Sequence, residues 1–155
     1  MRTSATGADE AGFTLVEMLA AVAILGLLTG AVVMNLPDSG GRLGDEADVL
    51  AARLRRAQEE AILTNRPVEA AVDAAGYRFR VQRRGAWAAL EDRTFAPRAW
   101  GEGVVVQVRT ADGRSAVRFD TTGAAEPAEI RLQRRERSVR VTIDGQGQVR
   151  IHATG

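Results

Sequence analysis

Gly12-Phe13-Thr14-Leu15-Val16-Glu17 opens a run of 24 residues, Phe13 to Leu36, in which Glu17 is the only charged side chain. As a helix rising about 1.5 Å per residue, such a run reaches roughly 36 Å, enough to cross a hydrocarbon core of about 30 Å. A carboxylate in that setting costs about 2.5–3.5 kcal/mol on insertion scales, so Glu17 reads as a functional residue. Its own helix offers it no opposite charge. The stretch is longer than the apolar core of an ordinary secretory signal peptide, and Glu17 interrupts it near its start.

Outward from this segment, Pro37-Asp38-Ser39-Gly40-Gly41 predicts a break, because proline and paired glycines are poor helix interiors. Leu43, Ala47, Leu50, Leu54, Ala57 and Ala61 then recur at intervals of four and three, which predicts one face of a helix over about Asp45 to Thr64. Arg53, Arg55, Arg56, Glu59 and Glu60 fall largely off that stripe and read as its solvated back, with Arg55 and Glu59 as an i,i+4 pair. Asn65-Arg66-Pro67 stops the helix.

After Pro67 the period becomes two. Tyr77, Phe79 and Val81 alternate with Arg78, Arg80 and Gln82, and residues 68–73 pair with them through Ala74-Ala75-Gly76. Trp87, Leu90, Phe95 and Trp100 lie in a less regular stretch. Val104, Val106 and Val108 form a further strand, which Ala111-Asp112-Gly113 turns into Val117 and Phe119. Two hairpins finish the chain: Ile130 and Leu132, then Val139 to Ile143, then Val149 and Ile151, with Asp144-Gly145-Gln146-Gly147 as the last turn. The sum is an α+β pattern, a long N-terminal helix on a small antiparallel sheet domain.

The segment from Gly12 to Glu17 resembles the type III signal of type IV pilins and type II secretion pseudopilins. That resemblance implies cleavage between Gly12 and Phe13 by a prepilin peptidase, which also methylates the new amine of Phe13. It implies that Glu17 meets the terminal amine of a neighbouring subunit during assembly. Residues 51–68, Val117-Arg118-Phe119 with Gly123, and Val141 to Ile151 are similar to the GspH/FimT group of minor pilins. The group's globular part is a pair of β-sheets beside the helix, and its members sit at or near the tip of a pseudopilus or in type IV pili. The implied organisation is a leader at 1–12, a transmembrane and assembly helix at 13–36, a linker at 37–44, and a periplasmic helix and sheet domain at 45–155. The implied partners are other pseudopilins or pilins, the peptidase/methyltransferase and inner-membrane lipid.

Composition narrows the chemistry. At 155 residues the chain has room for one modest core beyond the apolar helix. It has no cysteine, hence no disulfide, thiolate metal site or cysteine nucleophile. All 21 basic residues are arginine, and the net charge of +1 gives no whole-molecule field toward nucleic acid. The one histidine, His152, stands three residues from the end, a poor place for a catalytic relay. Glu91, Asp92, Asp112 and Asp120 sit near turns with nothing to converge them in a cleft. No enzyme, cofactor or metal is expected.

One surface carries a sharper expectation. Strand parity places Arg131, Arg140 and Arg150 on a common outer face, with Arg134, Arg135 and Arg137 at the hairpin rim. Six arginines against Glu129 and Glu136 could hold a phosphate backbone in a salt-dependent way, and some members of the FimT side act in DNA uptake. DNA binding is therefore the alternative to the reading as a secretion pseudopilin. A solvated arginine face is the plain competitor, and aromatic residues for base stacking are missing there.

Overall fold

A computed structural model describes residues 15–35 and 39–154. The chain divides between Pro37 and Asp38 into two units. The first contains α1, Leu15–Asn35, whose side chains are described for residues 15–28 and are exposed throughout. Among the described residues no helix is long and apolar enough to cross a membrane. The span expected over 13–36 extends past those side chains at both ends.

The second unit begins with α2, Ser39–Thr64. The helix thus starts six residues before the expected Asp45, and residues 39–44 of the expected linker are helical. Leu43, on the apolar stripe, is buried to 1% exposure, so packing overrides the poor propensity of Gly40 and Gly41. Leu43, Ala47, Leu50, Ala51, Leu54, Ala57 and Ala61 form the buried face. Each buried leucine contributes about 1.5–3 kcal/mol of transfer free energy. The helix ends in a Schellman motif: the Arg66 N–H donates to the Ala61 carbonyl (3.2 Å) and the Asn65 N–H to Ile62 (3.3 Å), with Asn65 left-handed at φ 52°.

Two antiparallel sheets flank this helix. The first contains β1 (Val68–Val72), β2 (Gly76–Arg83), β3 (Ala86–Ala89), β4 (Arg98–Ala99) and β6 (Ala116–Phe119), in the order β3-β2-β1-β6, with β4 sharing the outer edge of β2. The second runs β5-β7-β8-β9, from β5 (Val105–Thr110) through β7 (Ala128–Arg134) and β8 (Arg137–Ile143) to β9 (Val149–Thr154). The expected hairpins 68–73/77–81 and 130–132/139–143/149–151 are present with the inward residues buried, Ile151 only partly. The Ala111-Asp112-Gly113 turn does something different from closing a hairpin. It carries the chain from β5, paired to β7, into β6, paired to β1, and so joins the two sheets.

The irregular aromatic stretch folds over the outer edge of the first sheet. Phe95 is buried on a short 3-10 turn, Arg93–Phe95, with its ring 5.2 Å from that of Phe79, and Trp100 lies 5.0 Å from Tyr77. Arg53 of α2 sits over the rings of Tyr77 and Phe79 at 5.2 and 5.3 Å and donates to the Thr94 carbonyl. Arg55 donates to the Val149 carbonyl at 3.0 Å instead of pairing with Glu59, whose partner is Arg56 at 2.9 Å. The expected solvated back of α2 therefore clamps a loop beside one sheet and a strand of the other.

Candidate functional site

Gly12 and Phe13, the expected processing residues, lie outside the described residues. Glu17 stands in the first turn of α1. Around it Leu15, Val16, Met18 and Leu19 are 57–79% exposed, and Val22, Ile24, Leu25, Leu27 and Leu28 continue the exposure along the helix. At 100° per residue these positions circle the axis, so α1 has no polar side to turn to water. A helix apolar all round belongs among other helices or in lipid.

The arginine surface is built by strand register. Arg131 faces Arg140 across β7 and β8, Arg140 faces His152 on β9, and Thr142 faces Arg150. On β5, Gln107 and Arg109 lie opposite Arg131 and Glu129 and extend the same face. Glu129 stands between two of the cations, 3.7 Å from Arg131 and 3.8 Å from Arg140. Arg150 reaches the Gln148 side chain at 2.9 Å and Asp144 at 3.9 Å. The structure thus brings together Arg131, Arg140 and Arg150 but not all six. Arg134 and Arg137 share the parity of Leu132 and Val139, so they leave the outer face, and Arg134 lines a cleft with Arg42, Glu46, Arg98 and Glu102. Arg135, at φ 55°, forms the hairpin tip.

A second charged constellation escaped the sequence reading. Glu69, on the outer face of β1, is 2% exposed. It accepts from Arg80 on one neighbouring strand and from Arg118 on the other at 2.9 Å. The Trp87 ring covers Arg118 at 4.9 Å. The available signal was a single acid out of phase in Val68-Glu69-Ala70-Ala71-Val72, flanked in register by strands with arginines at alternate positions.

Exposed aspartates pin the turns. Asp73 lies below the usual carboxylate range because the Ala75 and Gly76 N–H groups donate to it, with Arg78 adding to the effect. Asp92 is lowered by the Thr94 N–H and Asp112 by the Arg114 N–H. The Thr122 hydroxyl lowers Asp120. These are cap and turn contacts. Among the described residues no group of three or more His, Cys, Asp or Glu side chains could hold a metal ion.

Two loops meet on Gln58 of α2, whose amide donates to the carbonyls of Gly123 (2.8 Å) and Gln146 (3.0 Å). This docking of the 120–125 and 144–148 turns onto one helical side chain explains Gly123 and Gly147, both at positive φ and both too close to α2 side chains, Gln58 among them, for a Cβ. Residues 46–147 match the family described as Type II transport protein GspH, well over half of the chain. The chain belongs to the GspH family. Residues 8–33 match the prokaryotic N-terminal methylation motif.

Solved structures share this GspH fold. The minor pseudopilin EpsH of the Vibrio cholerae type 2 secretion system is 20% identical, with a TM-score of 0.65 over 74% of this chain and 98% of that one. Escherichia coli GspH is 16% identical, with a TM-score of 0.61 over 77% and 94%. The Pseudomonas aeruginosa type IV minor pilin FimU is 14% identical, with a TM-score of 0.60 over 74% and 93%. No curated protein sequence matches the chain. The GspH family is one of structural minor pseudopilins, and the α+β architecture of one helix against two antiparallel sheets is its fold.

Proposed function

We propose that this GspH-family chain is cut between Gly12 and Phe13, methylated on Phe13 and held in the inner membrane by residues 13–36. Its helix and sheet domain then lies in the periplasm until the subunit joins a type II secretion pseudopilus, at or near the tip, in support of export across the outer membrane. Its partners are other pseudopilins and the prepilin peptidase/methyltransferase. The observation that carries this reading is the methylation motif over residues 8–33 on a helix that is apolar on every side and has Glu17 in its first turn.

Methylation leaves the Phe13 amine cationic. In lipid, opposite charges attract far more strongly than in water, while dehydration offsets much of the gain. The ion pair between Glu17 and a neighbour's amine therefore sets register, because docking brings the acid and a cation together inside the lipid at one axial position. The leader covers the amine, so cleavage licenses assembly. DNA capture by Arg131, Arg140 and Arg150 is the weaker reading, because Glu129 already faces two of those three guanidinium groups.

The test combines intact mass with filament incorporation. Wild-type chain from the membrane should begin at Phe13 and be one methyl group heavier than its sequence. Glu17→Ala should be processed identically yet fail to join filaments. Unprocessed functional protein, or normal incorporation of Glu17→Ala, refutes the mechanism.

A further inference from the structure

We propose that the cleft between the α2–β1 connection and the β2–β3 hairpin docks a carboxylate-rich segment of another protein. The cleft has a volume of about 720 Å³ and is lined by Asn65, Arg66, Pro67, Gln82, Arg83, Arg84 and Gly85. Three arginines face it, no acid lines it, and none of the three makes an ion pair among the described residues. On the outer faces of the two sheets, by contrast, acids stand among the arginines. Glu129 stands between Arg131 and Arg140 on the second sheet, while Glu69, Asp73 and Asp112 hold Arg80, Arg118, Arg78 and Arg114 along the first. Arg66, Arg83 and Arg84 thus form an acid-free group of cations at the end of α2 remote from Ser39, roughly 39 Å along the 26-residue helix, whereas the cleft that holds Arg42, Arg98 and Arg134 also holds Asp45, Glu46 and Glu102.

The site is held in place by the backbone around it. The Schellman cap fixes Asn65 and Arg66, the Gln82 N–H donates to the Pro67 carbonyl at 2.9 Å, and Arg84 and Gly85 form a tight hairpin turn at φ 51° and 83°. Planar guanidinium groups on such a frame suit bidentate carboxylate or phosphate contacts. Two features favour carboxylates on a polypeptide. No aromatic residue lines the cleft for base stacking. Leu63, two residues before Asn65 and outside the cleft lining, is 76% exposed and gives a polypeptide seated there an adjoining apolar contact that a phosphodiester backbone does not use.

Fluorescence anisotropy on the full chain in detergent micelles tests it, with labelled poly-L-glutamate, a glutamate/leucine copolymer and a DNA duplex as probes. An Arg66→Gln/Arg83→Gln/Arg84→Asn variant keeps the left-handed turn at position 84 accessible, because asparagine tolerates that conformation. It should weaken polyglutamate binding about tenfold at low salt, whereas Arg131→Gln/Arg140→Gln/Arg150→Gln should change it less than about threefold. The copolymer should bind more tightly than polyglutamate and lose that advantage in Leu63→Ser. Unchanged thermal melts establish that the variants fold. Equal losses in the two triple variants, no binding to wild type, or tighter cleft-dependent binding of the duplex would each overturn the proposal.

Discussion

Glu69 is the place where the fold takes its largest electrostatic risk, so its removal is informative. Its side chain is 3% exposed, while those of Arg80 and Arg118 are 37% and 39% exposed. Breaking a fully buried ion pair costs about 3–5 kcal/mol, mostly from the charge left behind. Here the groups left behind by Glu69→Gln are two guanidinium groups that already touch water and can hydrate further. The amide also aims a donor where an acceptor is required. We expect a loss of about 2 kcal/mol, below the fully buried range. For a domain of this size that is roughly 8 °C in Tm.

The reciprocal change distinguishes a buried charge from mere packing. In Arg80→Gln/Arg118→Gln a carboxylate remains inside the sheet face without either of its two ion-pair partners. Leaving a buried acid uncompensated costs more than leaving two half-exposed guanidinium groups to water. That variant should therefore be less stable than Glu69→Gln at pH 7. Urea unfolding of the full chain in micelles, followed by tryptophan fluorescence, measures it. A Glu69→Gln chain within about 0.5 kcal/mol of wild type would refute the argument, as would a double variant no less stable than Glu69→Gln.

Two further outcomes can be checked on the same preparation. Gly147→Ala should cost at least about 2 kcal/mol by urea unfolding, because φ 75° disfavours a side chain and a Cβ would meet the Gly123 carbonyl and Gln58; Gly145→Ala, with open space around it, should stay within about 0.5 kcal/mol. Asp73, Asp92, Asp112 and Asp120 all have lowered folded pKa values, so their contribution is present above pH 4 and lost as pH falls through the lowered values; Asp73→Asn/Asp120→Asn should flatten the stability profile between pH 4 and 2, and an unaltered slope would show that these turns do not carry it.

Most of the fold was legible because burial imposes a period. The stripe Leu43 to Ala61 and the alternations at Tyr77 to Val81 and at Val139 to Ile143 each predict which side faces the core, and those residues are buried. What was not legible depends on contacts distant in sequence. The start of α2 is set by Leu43 finding a place under the sheets, which outweighs the local glycines. The chain's crossing from β5 to β6 has the same Ala-Asp-Gly chemistry as a hairpin turn. Only the pairing of β5 with β7 and of β6 with β1 separates the two outcomes.

The same limit governs the charged residues, and it decides how arginine-rich surfaces in such a chain should be read. Strand parity correctly puts Arg131, Arg140 and Arg150 together, but parity counts cations without revealing where the acids fall. Glu129 is on their face because β7 has the same period as the arginines beside it, and Glu69 is buried because arginines flank it on both neighbouring strands. Regular strands thus interleave both signs and tend to neutralise themselves. Arg66, Arg83 and Arg84 lie instead at a helix stop and at the end and tip of a hairpin, where no cross-strand acid accompanies them. In a nearly neutral domain, charge remains available to a partner where the period fails. Arg66, Arg83 and Arg84 are such cations, grouped without an acid in the loops at one end of α2, away from the sheet face with the larger arginine count.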